Sequence, residues 1–288
     1  MFPRSRRSGG GDFLVAAPIE ALVITPAKLM ESKSVPLAKE DIIDPTAFSA
    51  QVEAAGRAQG FRVERFGETT VGPLVALTKR TPGPRPRIYL SAGIHGDEPA
   101  PPLALLNLLE RGVLDSRAVW FLCPLLNPVG FVSRTRENAD GVDLNRDYKT
   151  LRSLEIQAHA RWLQRQPNFD VTCHLHEDWE AHGFYLYELC SIAGRSIARA
   201  MIEAVGPTLP IETATVIDGF TVAEPGIIRP VSDPLLRELW PESIYLRAHH
   251  TRLGYTLETP SALPLSQRIA ALSAAIEAAL RTLCDRAR

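Results

Sequence analysis

The chain has little of what marks a secreted, membrane-spanning or nucleic-acid-binding protein. Only four of its 288 residues are cysteine, and none forms a Cys-x-x-Cys pair. They are widely spaced, and Cys123, Cys173 and Cys190 lie in or beside apolar runs, so we predict buried free thiols in a reducing compartment rather than disulfides. No run of about 18 apolar residues is present, so we expect no membrane-spanning helix. The formal net charge of −1 gives no reason to expect nucleic acid or an anionic membrane surface as a partner.

The N-terminal region has little pattern. Basic residues at 4–7 precede an apolar stretch at 13–24, but Pro18 and Glu20 interrupt this stretch and no clean cleavage site follows. We therefore predict a partly irregular tail over residues 1–44 and a single domain over 45–288. The expected location is cytoplasmic, with the periplasm as the alternative.

The rest of the chain alternates short apolar runs with longer amphipathic segments. Strands are predicted at 61–66, 74–79, 87–92, 118–122, 170–175, 183–187 and 255–257. Helices are predicted at 46–59, 100–110, 154–166, 194–205 and 265–286. This alternation predicts an α/β fold, and the hairpin formed by the first two strands makes the sheet mixed.

The stretch His95-Gly96-Asp97-Glu98 directly follows the predicted strand at 87–92. An imidazole and a carboxylate three residues apart, in a loop that follows a strand, can supply two ligands to a zinc ion. Ligands of α/β proteins gather at the carboxyl ends of the strands. Asn127, His176 and Glu258 also lie at or just beyond predicted strand ends, which favours one common site.

Two histidines, His174 and His176, lie near the end of the predicted strand at 170–175. They share one face of the strand because side chains alternate with a period of two. We predict His176 as the third metal ligand, since it stands where the loop opens, and His174 as a group behind the metal or on the substrate side. The opposite assignment stays open. Two histidines and one glutamate leave a fourth position for water, as in catalytic zinc sites.

A polar loop at 134–147 contains Asn145 and Arg146. The planar guanidinium matches a carboxylate bidentately, and the amide adds a donor, so this pair is a candidate clamp for a substrate carboxylate. A second arginine nearer the metal would stabilise an oxyanion. Glu258 ends a short apolar strand, and near a metal-activated water it would act as the general base.

In order along the chain, these blocks resemble the zinc carboxypeptidase family, which has the metallocarboxypeptidase A-like fold and includes bacterial peptidases and succinylglutamate desuccinylase-like members. The resemblance covers roughly residues 60–285. The matching blocks are His95 to Glu98, Asn127 to Phe131, Arg136, Gly141 to Arg146, His176 and Glu258. The resemblance implies a mixed, mostly parallel sheet of about eight strands between two layers of helices. It also implies one zinc ion per chain, bound by His95, Glu98 and His176.

The resemblance implies a role for each remaining site residue. Asp143 would orient His95, and Arg136 would polarise the scissile carbonyl. Asn145 and Arg146 would bind the carboxylate of the substrate. Glu258 would be the general base. The family often uses a mobile tyrosine, and Tyr245 is the best match for it, although it lies closer to Glu258 than in the large digestive members.

The resemblance predicts a zinc metallocarboxypeptidase that hydrolyses a C-terminal peptide amide or a murein-peptide amide. The alternative is a zinc deacylase of N-acyl amino acids, of the succinylglutamate desuccinylase and aspartoacylase type. The blocks around Asn127 and at Gly141 to Arg146 favour the peptidase. A third alternative is an inactive zinc-binding module. The expected partner is a small peptide or acyl-amino-acid substrate, and the oligomeric state cannot be read from the sequence.

Overall fold

A ten-stranded sheet runs through the part of the chain that the computed structural model describes, residues 42–192 and 194–286. The predicted tail at 1–44 lies almost wholly outside these residues, so that prediction and the single domain over 45–288 stay predictions. The strands are β1 Arg62–Glu68, β2 Pro73–Lys79, β3 Arg87–Ser91, β4 Val119–Cys123, β5 Val171–Asp178, β6 Tyr185–Cys190, β7 Val216–Ile217, β8 Phe220–Glu224, β9 Ile227–Ile228 and β10 Leu253–Pro260.

Seven α-helices connect or flank these strands in the described residues. They are α1 Pro45–Ala58, α2 Ala100–Glu110, α3 Pro128–Ser133, α4 Leu154–Leu163, α5 Ala198–Val205, α6 Glu242–His249 and α7 Leu265–Arg286. Of these helices, none has the length and apolar character that crossing a membrane requires.

The strand order is β1-β2-β4-β3-β5-β10-β6-β9-β8-β7. The four central strands β4, β3, β5 and β10 are parallel to one another. Outside this centre the pairs are antiparallel, except that β6 and β9 are parallel. The mixed α/β fold is therefore confirmed. The sheet has ten strands rather than about eight. The expectation of a mostly parallel sheet was wrong, because five of the nine strand pairs in the described residues are antiparallel and the parallel pairs lie mainly at the centre.

Helices cover both faces of the sheet. Alternate residues of β3 belong to opposite faces: Ile88 and Leu90 lie in one apolar cluster, and Tyr89 lies in the other. Residues of α1, α2, α5 and α7 contribute to the first cluster, and residues of α4 and α6 to the second. Both faces of the central strands are thus buried, which is typical of parallel sheets and explains their continuous apolar sequence.

The four cysteines are free, in agreement with the prediction from their spacing. Cys123 and Cys173 are buried in central strands. Cys190 was expected to be buried because of its apolar neighbours, but it is exposed. It is the last residue of β6, where the strand leaves the sheet.

One histidine of α4, His159, is fully buried between two tyrosine hydroxyls. Its Nε2 lies 3.0 Å from the hydroxyl of Tyr89 and its Nδ1 lies 2.7 Å from the hydroxyl of Tyr148. Burial lowers the pKa of His159 to about 4, although Glu242 opposes this shift. The imidazole is therefore neutral in the folded protein at neutral pH.

The His159→Gln variant is expected to lose part of the acid sensitivity of the fold. The pKa of His159 is about 4 in the folded state and has the ordinary value of 6.5 in the unfolded chain. The unfolded chain binds the extra proton between these values, so the free energy of unfolding falls as pH falls through this window. The full effect is about 3 kcal/mol. Urea unfolding of both proteins at about pH 7 and about pH 5 measures the difference, and equal pH dependence would contradict the prediction.

Candidate active site

The loop between β3 and α2 contains the predicted ligands His95 and Glu98. It is tied to the segment that follows β4, since the Gly96 N–H donates to the Thr135 carbonyl at 2.9 Å. The two backbones touch here, and a Cβ at position 96 would overlap the backbone of Gly130. Only glycine allows this approach, so the loop conformation depends on Gly96.

Asn127 holds the other side of this contact. Its Oδ1 accepts the Gly130 N–H at 2.9 Å, and its Nδ2 donates to the carbonyls of Ile94 and Glu137, both at 3.2 Å. Asn127 is completely buried. Asn127 therefore holds the loop with His95 and Glu98 in place and does not line the cavity.

His95, Glu98 and His176 form a buried group whose ligand atoms all lie within 4.8 Å of one another. The Glu98 carboxylate lies between the two imidazoles: Oε1 is 2.5 Å from Nδ1 of His95, and Oε2 is 3.0 Å from Nδ1 of His176. Burial alone would raise the pKa of Glu98, but the two histidines lower it far below its ordinary value. Two imidazole nitrogens and a carboxylate at this spacing are a donor set that fits zinc.

The structure separates the two histidines of β5. His174 Nδ1 lies 3.0 Å from Ser91 Oγ and 3.0 Å from Glu242 Oε2, and its Nε2 lies 3.2 Å from Thr172 Oγ1. The geometry therefore groups His176, and not His174, with the loop residues that offer metal ligands. Burial would raise the pKa of Glu242, but His174 and the hydrogen bond from Tyr89 lower it to about 2.

Asp143 lies on the far side of the His95 ring, and Arg136 extends from Asp143 to the side of the ring that faces Glu98. Asp143 Oδ1 lies 3.3 Å from His95 Nε2, and its Oδ2 accepts from Arg136 Nε at 2.9 Å. Arg136 Nη1 lies 3.8 Å from Glu98 Oε1. Burial would raise the pKa of Asp143, but His95, Arg136 and Arg146 lower it well below its ordinary value. Asp143 is thus an ionised group that can orient the imidazole.

Asn145 and Arg146 lie in a short 3-10 turn, Leu144–Arg146, that begins after Asp143. Asn145 Nδ2 lies 3.4 Å from His176 Nε2. Arg146 donates to the Asn145 carbonyl at 2.8 Å, and no carboxylate of the described residues pairs with it. Burial and the nearby charges of Arg136 and Arg237 lower the pKa of Arg146, and the charge of Asp143 opposes this shift. A guanidinium in this situation is a favourable place for an anion.

Glu258 lies beside His176 because β10 and β5 are parallel and these two residues are in register. On the other side of β10 it faces Tyr185 of β6. Its carboxylate makes no hydrogen bond to another described residue. Loss of solvation raises the pKa of Glu258 well above its ordinary value, and the charges of Glu98 and Asp178 act in the same direction.

These residues line one cavity of about 380 Å³. The predicted site residues that line it are His95, Glu98, Arg136, Asn145, Arg146, His174, His176 and Glu258. Asp143, which lies behind the His95 ring, and Tyr245 do not line it. Tyr245 is buried in the core, with its ring 5.5 Å from that of Tyr148 and 4.7 Å from that of His249. Its neighbours Ser243 and Ile244 line the cavity instead, so its position gives no support to a role in substrate binding.

One wall of the cavity was not predicted from the sequence. Tyr185 and Tyr187 share a face of β6, and their hydroxyls donate to Asp178 at 2.9 Å and to Asp218 at 2.7 Å. Asp218 has a positive φ of 49° in the turn between β7 and β8. Two features of the sequence could have indicated this wall. The two tyrosines alternate in a strand predicted at 183–187, and the Asp-Gly pair at 218–219 is typical of a hairpin turn.

A family model for the catalytic domain of succinylglutamate desuccinylase and aspartoacylase matches residues 84–283, which is more than half of the chain. The chain belongs to this family. No curated protein matches it in sequence.

Solved structures with the same fold include several bacterial proteins. A candidate metallopeptidase from Shewanella amazonensis SB2B has 27% identity and a TM-score of 0.73, and the match covers 83% of this chain and 93% of that protein. Another from Shewanella denitrificans OS217 has 25% identity and a TM-score of 0.73, covering 84% and 91%. A metallo-carboxypeptidase from Burkholderia cenocepacia has 22% identity and a TM-score of 0.64, covering 88% and 70%, and shows the fold alone. The family and the Shewanella neighbours support a metal-dependent hydrolase.

Replacing Gly96 by Ala is expected to weaken zinc binding about tenfold or more, as displaced ligand orientation usually does. The added Cβ would overlap the Gly130 backbone, so the loop with His95 and Glu98 must shift. Competition with a chromogenic chelator measures the affinity. Gly206→Ala is the matched control, because a Cβ there would have its nearest atom at 3.7 Å. Equal zinc affinity of the two variants would count against the role of the loop contact.

Proposed function

We propose that this chain is a zinc metallocarboxypeptidase that hydrolyses an amide bond next to a free carboxylate. The observation that supports the proposal is one cavity that combines the His95, Glu98 and His176 group with Glu258 and with Arg146. No carboxylate of the described residues forms an ion pair with Arg146. A small peptide is the expected substrate.

His95, Glu98 and His176 would hold one zinc ion per chain. When bound there, zinc supplies Lewis acidity to a substrate carbonyl and lowers the pKa of a water toward about 7. Asp143 keeps the His95 ring in place from its other nitrogen, and such partners are needed for full metal affinity.

Arg136 and Glu258 would act on the scissile amide. Arg136 points its guanidinium toward His95 and Glu98, so its charge is placed to stabilise the oxyanion that forms from the carbonyl. Glu258 would accept a proton from the attacking water and pass it to the leaving amine. A raised pKa suits this role, because the carboxylate accepts a proton more readily than an ordinary glutamate does.

Asn145 and Arg146 would hold the carboxylate of the substrate. The guanidinium offers several donors in one plane, and the amide of Asn145 adds another. Because both lie in the turn that follows Asp143, the carboxylate would be bound at a fixed place relative to the metal ligands. This arrangement favours cleavage of the amide nearest a free C-terminus.

The second candidate is a zinc deacylase of N-acyl amino acids. The match to the succinylglutamate desuccinylase and aspartoacylase catalytic domain favours it. Such substrates also carry a free carboxylate next to the amide, so Asn145 and Arg146 would serve either reaction. The two reactions differ in the group on the acyl side of the amide.

Glu258→Gln is expected to lower kcat by about 10²- to 10⁴-fold, which is the usual contribution of a positioned general base. The amide keeps the size of the side chain but cannot take a proton. Zinc content should stay at about one per chain, since Glu258 is not among the ligands. Metal analysis and steady-state kinetics measure the two quantities. The exposed Glu203→Gln on α5 is the control, and wild-type turnover in E258Q would show that another group is the base.

Zinc-loaded protein is expected to hydrolyse a peptide with a free C-terminal carboxylate and to lose at least about tenfold in kcat/KM when the terminus is amidated. Removal of zinc with a chelator should abolish turnover, and added zinc should restore it. An N-acyl amino acid is assayed in parallel. If only the N-acyl amino acid is hydrolysed, the protein is a deacylase rather than a peptidase. If zinc binds but neither substrate is hydrolysed, the result favours a binding module.

A further inference from the structure

We propose that Glu242 is a positioning residue that fixes which side of the Asn145 amide faces the active-site cavity. The inference rests on the proposed function, in which Asn145 and Arg146 bind a substrate carboxylate. Glu242 is the first residue of α6 and is 1% exposed. It does not line the cavity, so it would act through Asn145 rather than on the substrate.

The carboxylate of Glu242 is anchored to the sheet by three groups. Oε1 accepts from the Tyr89 hydroxyl at 2.6 Å, and Oε2 accepts from the Ser91 hydroxyl at 2.7 Å. His174 Nδ1 lies 3.0 Å from the same Oε2. Tyr89 and Ser91 belong to β3 and His174 to β5. The first turn of α6 is therefore fixed to the strand that precedes His95 and Glu98 and to the strand that contains His176.

The backbone N–H of Glu242 has no partner within its own helix, because the first N–H groups of a helix lack one. It donates to Asn145 Oδ1 at 2.9 Å. An N–H group can only donate, so it selects the oxygen of the amide and excludes the nitrogen. Nδ2 of Asn145 therefore points the other way, toward His176 and the cavity.

The orientation matters because the two sides of an amide have opposite polarity. With Nδ2 toward the cavity, Asn145 can donate to a carboxylate beside Arg146. With Oδ1 there, a lone pair would face the carboxylate and repel it. Asn145 has no other anchor on its Oδ1 among the described residues, so the position of the Glu242 N–H decides between the two.

A second buried carboxylate serves as a matched control. Glu188 is 3% exposed and accepts from the Tyr255 hydroxyl at 2.7 Å and from Arg229 at 2.6 Å. Its substitution removes the same chemical group from another buried position, where it also accepts a hydrogen bond from a tyrosine hydroxyl. Glu188 has no contact with Asn145 or with the residues of the proposed clamp.

The experiment compares zinc-loaded wild type with Glu242→Ala, Glu242→Gln, Tyr89→Phe and Glu188→Ala on the best carboxylate substrate of the wild type. For E242A we expect KM to rise about tenfold while kcat changes less than about twofold, since a lost hydrogen bond to a charged group has this size. E242Q keeps the shape and one of the two acceptor oxygens, so it should restore most of the loss. Y89F should give a smaller effect in the same direction, and E188A should leave KM unchanged even if it lowers Tm.

Crystal structures of wild type and E242A supply a readout that does not depend on turnover. We expect the Asn145 side chain of E242A to leave the Glu242 N–H position, with Y89F as the milder variant if E242A does not fold. An unchanged Asn145, or a fall in kcat with KM unchanged, would overturn the inference. If the wild type hydrolyses neither test substrate, the proposed function fails and the position of Asn145 in the variants still decides this inference.

Discussion

The site depends on one constraint: β3, β5 and β10 are neighbouring parallel strands, so their carboxyl ends meet at the same edge of the sheet. The loop after β3 contains His95 and Glu98, β5 contains His176, and β10 contains Glu258 in register with His176. His95 and Glu258, which are more than 150 positions apart in the chain, thus come close together because their strands lie in the same part of the sheet. The buried apolar faces of these strands make this alignment stable.

Buried charges complete the alignment. Glu98, Asp143, Glu177 and Glu242 are carboxylates close to the site, and each has a cationic or hydrogen-bonding partner. Such groups stabilise little compared with apolar residues of equal volume, but an unpaired one is costly. The network therefore acts mainly to define one arrangement of the loops around the cavity.

Much of the fold could be predicted because a hydrophobic pattern that is regular over a long segment indicates its secondary structure. The helices α2 and α7 have the predicted bounds, and the central strands differ by a few residues at their ends. The helix predicted at 194–205 begins only at Ala198, and α3 and α6 were missed. The strands β7 and β9 have two residues each, too few for any periodicity. These peripheral elements owe their structure to neighbours in space, which a single sequence does not reveal.

Site residues could be predicted where a side chain suited to the chemistry lies within a recognisable block of the sequence, as for His95, Glu98 and Asp143. Site residues could not be predicted where their position depends on which face of a helix points toward the cavity. Tyr245 and Ser243 lie on the same helix, yet only Ser243 reaches the cavity. Glu242 gave no signal at all, because nothing in the sequence shows that its carboxylate turns toward the core.

The cavity wall formed by tyrosines and aspartates lies in a different part of the sheet from the residues proposed to bind the metal and to act on the amide. Asp218 and Phe220 lie at the turn between β7 and β8. In the described residues, this hairpin pairs with the rest of the sheet through the short strand β9. Such a peripheral hairpin can change in length and sequence without disturbing the parallel centre. Relatives with this fold can therefore diverge in the substrates they accept while the residues proposed to hold the metal stay in place, and the hairpin is where that divergence would be concentrated.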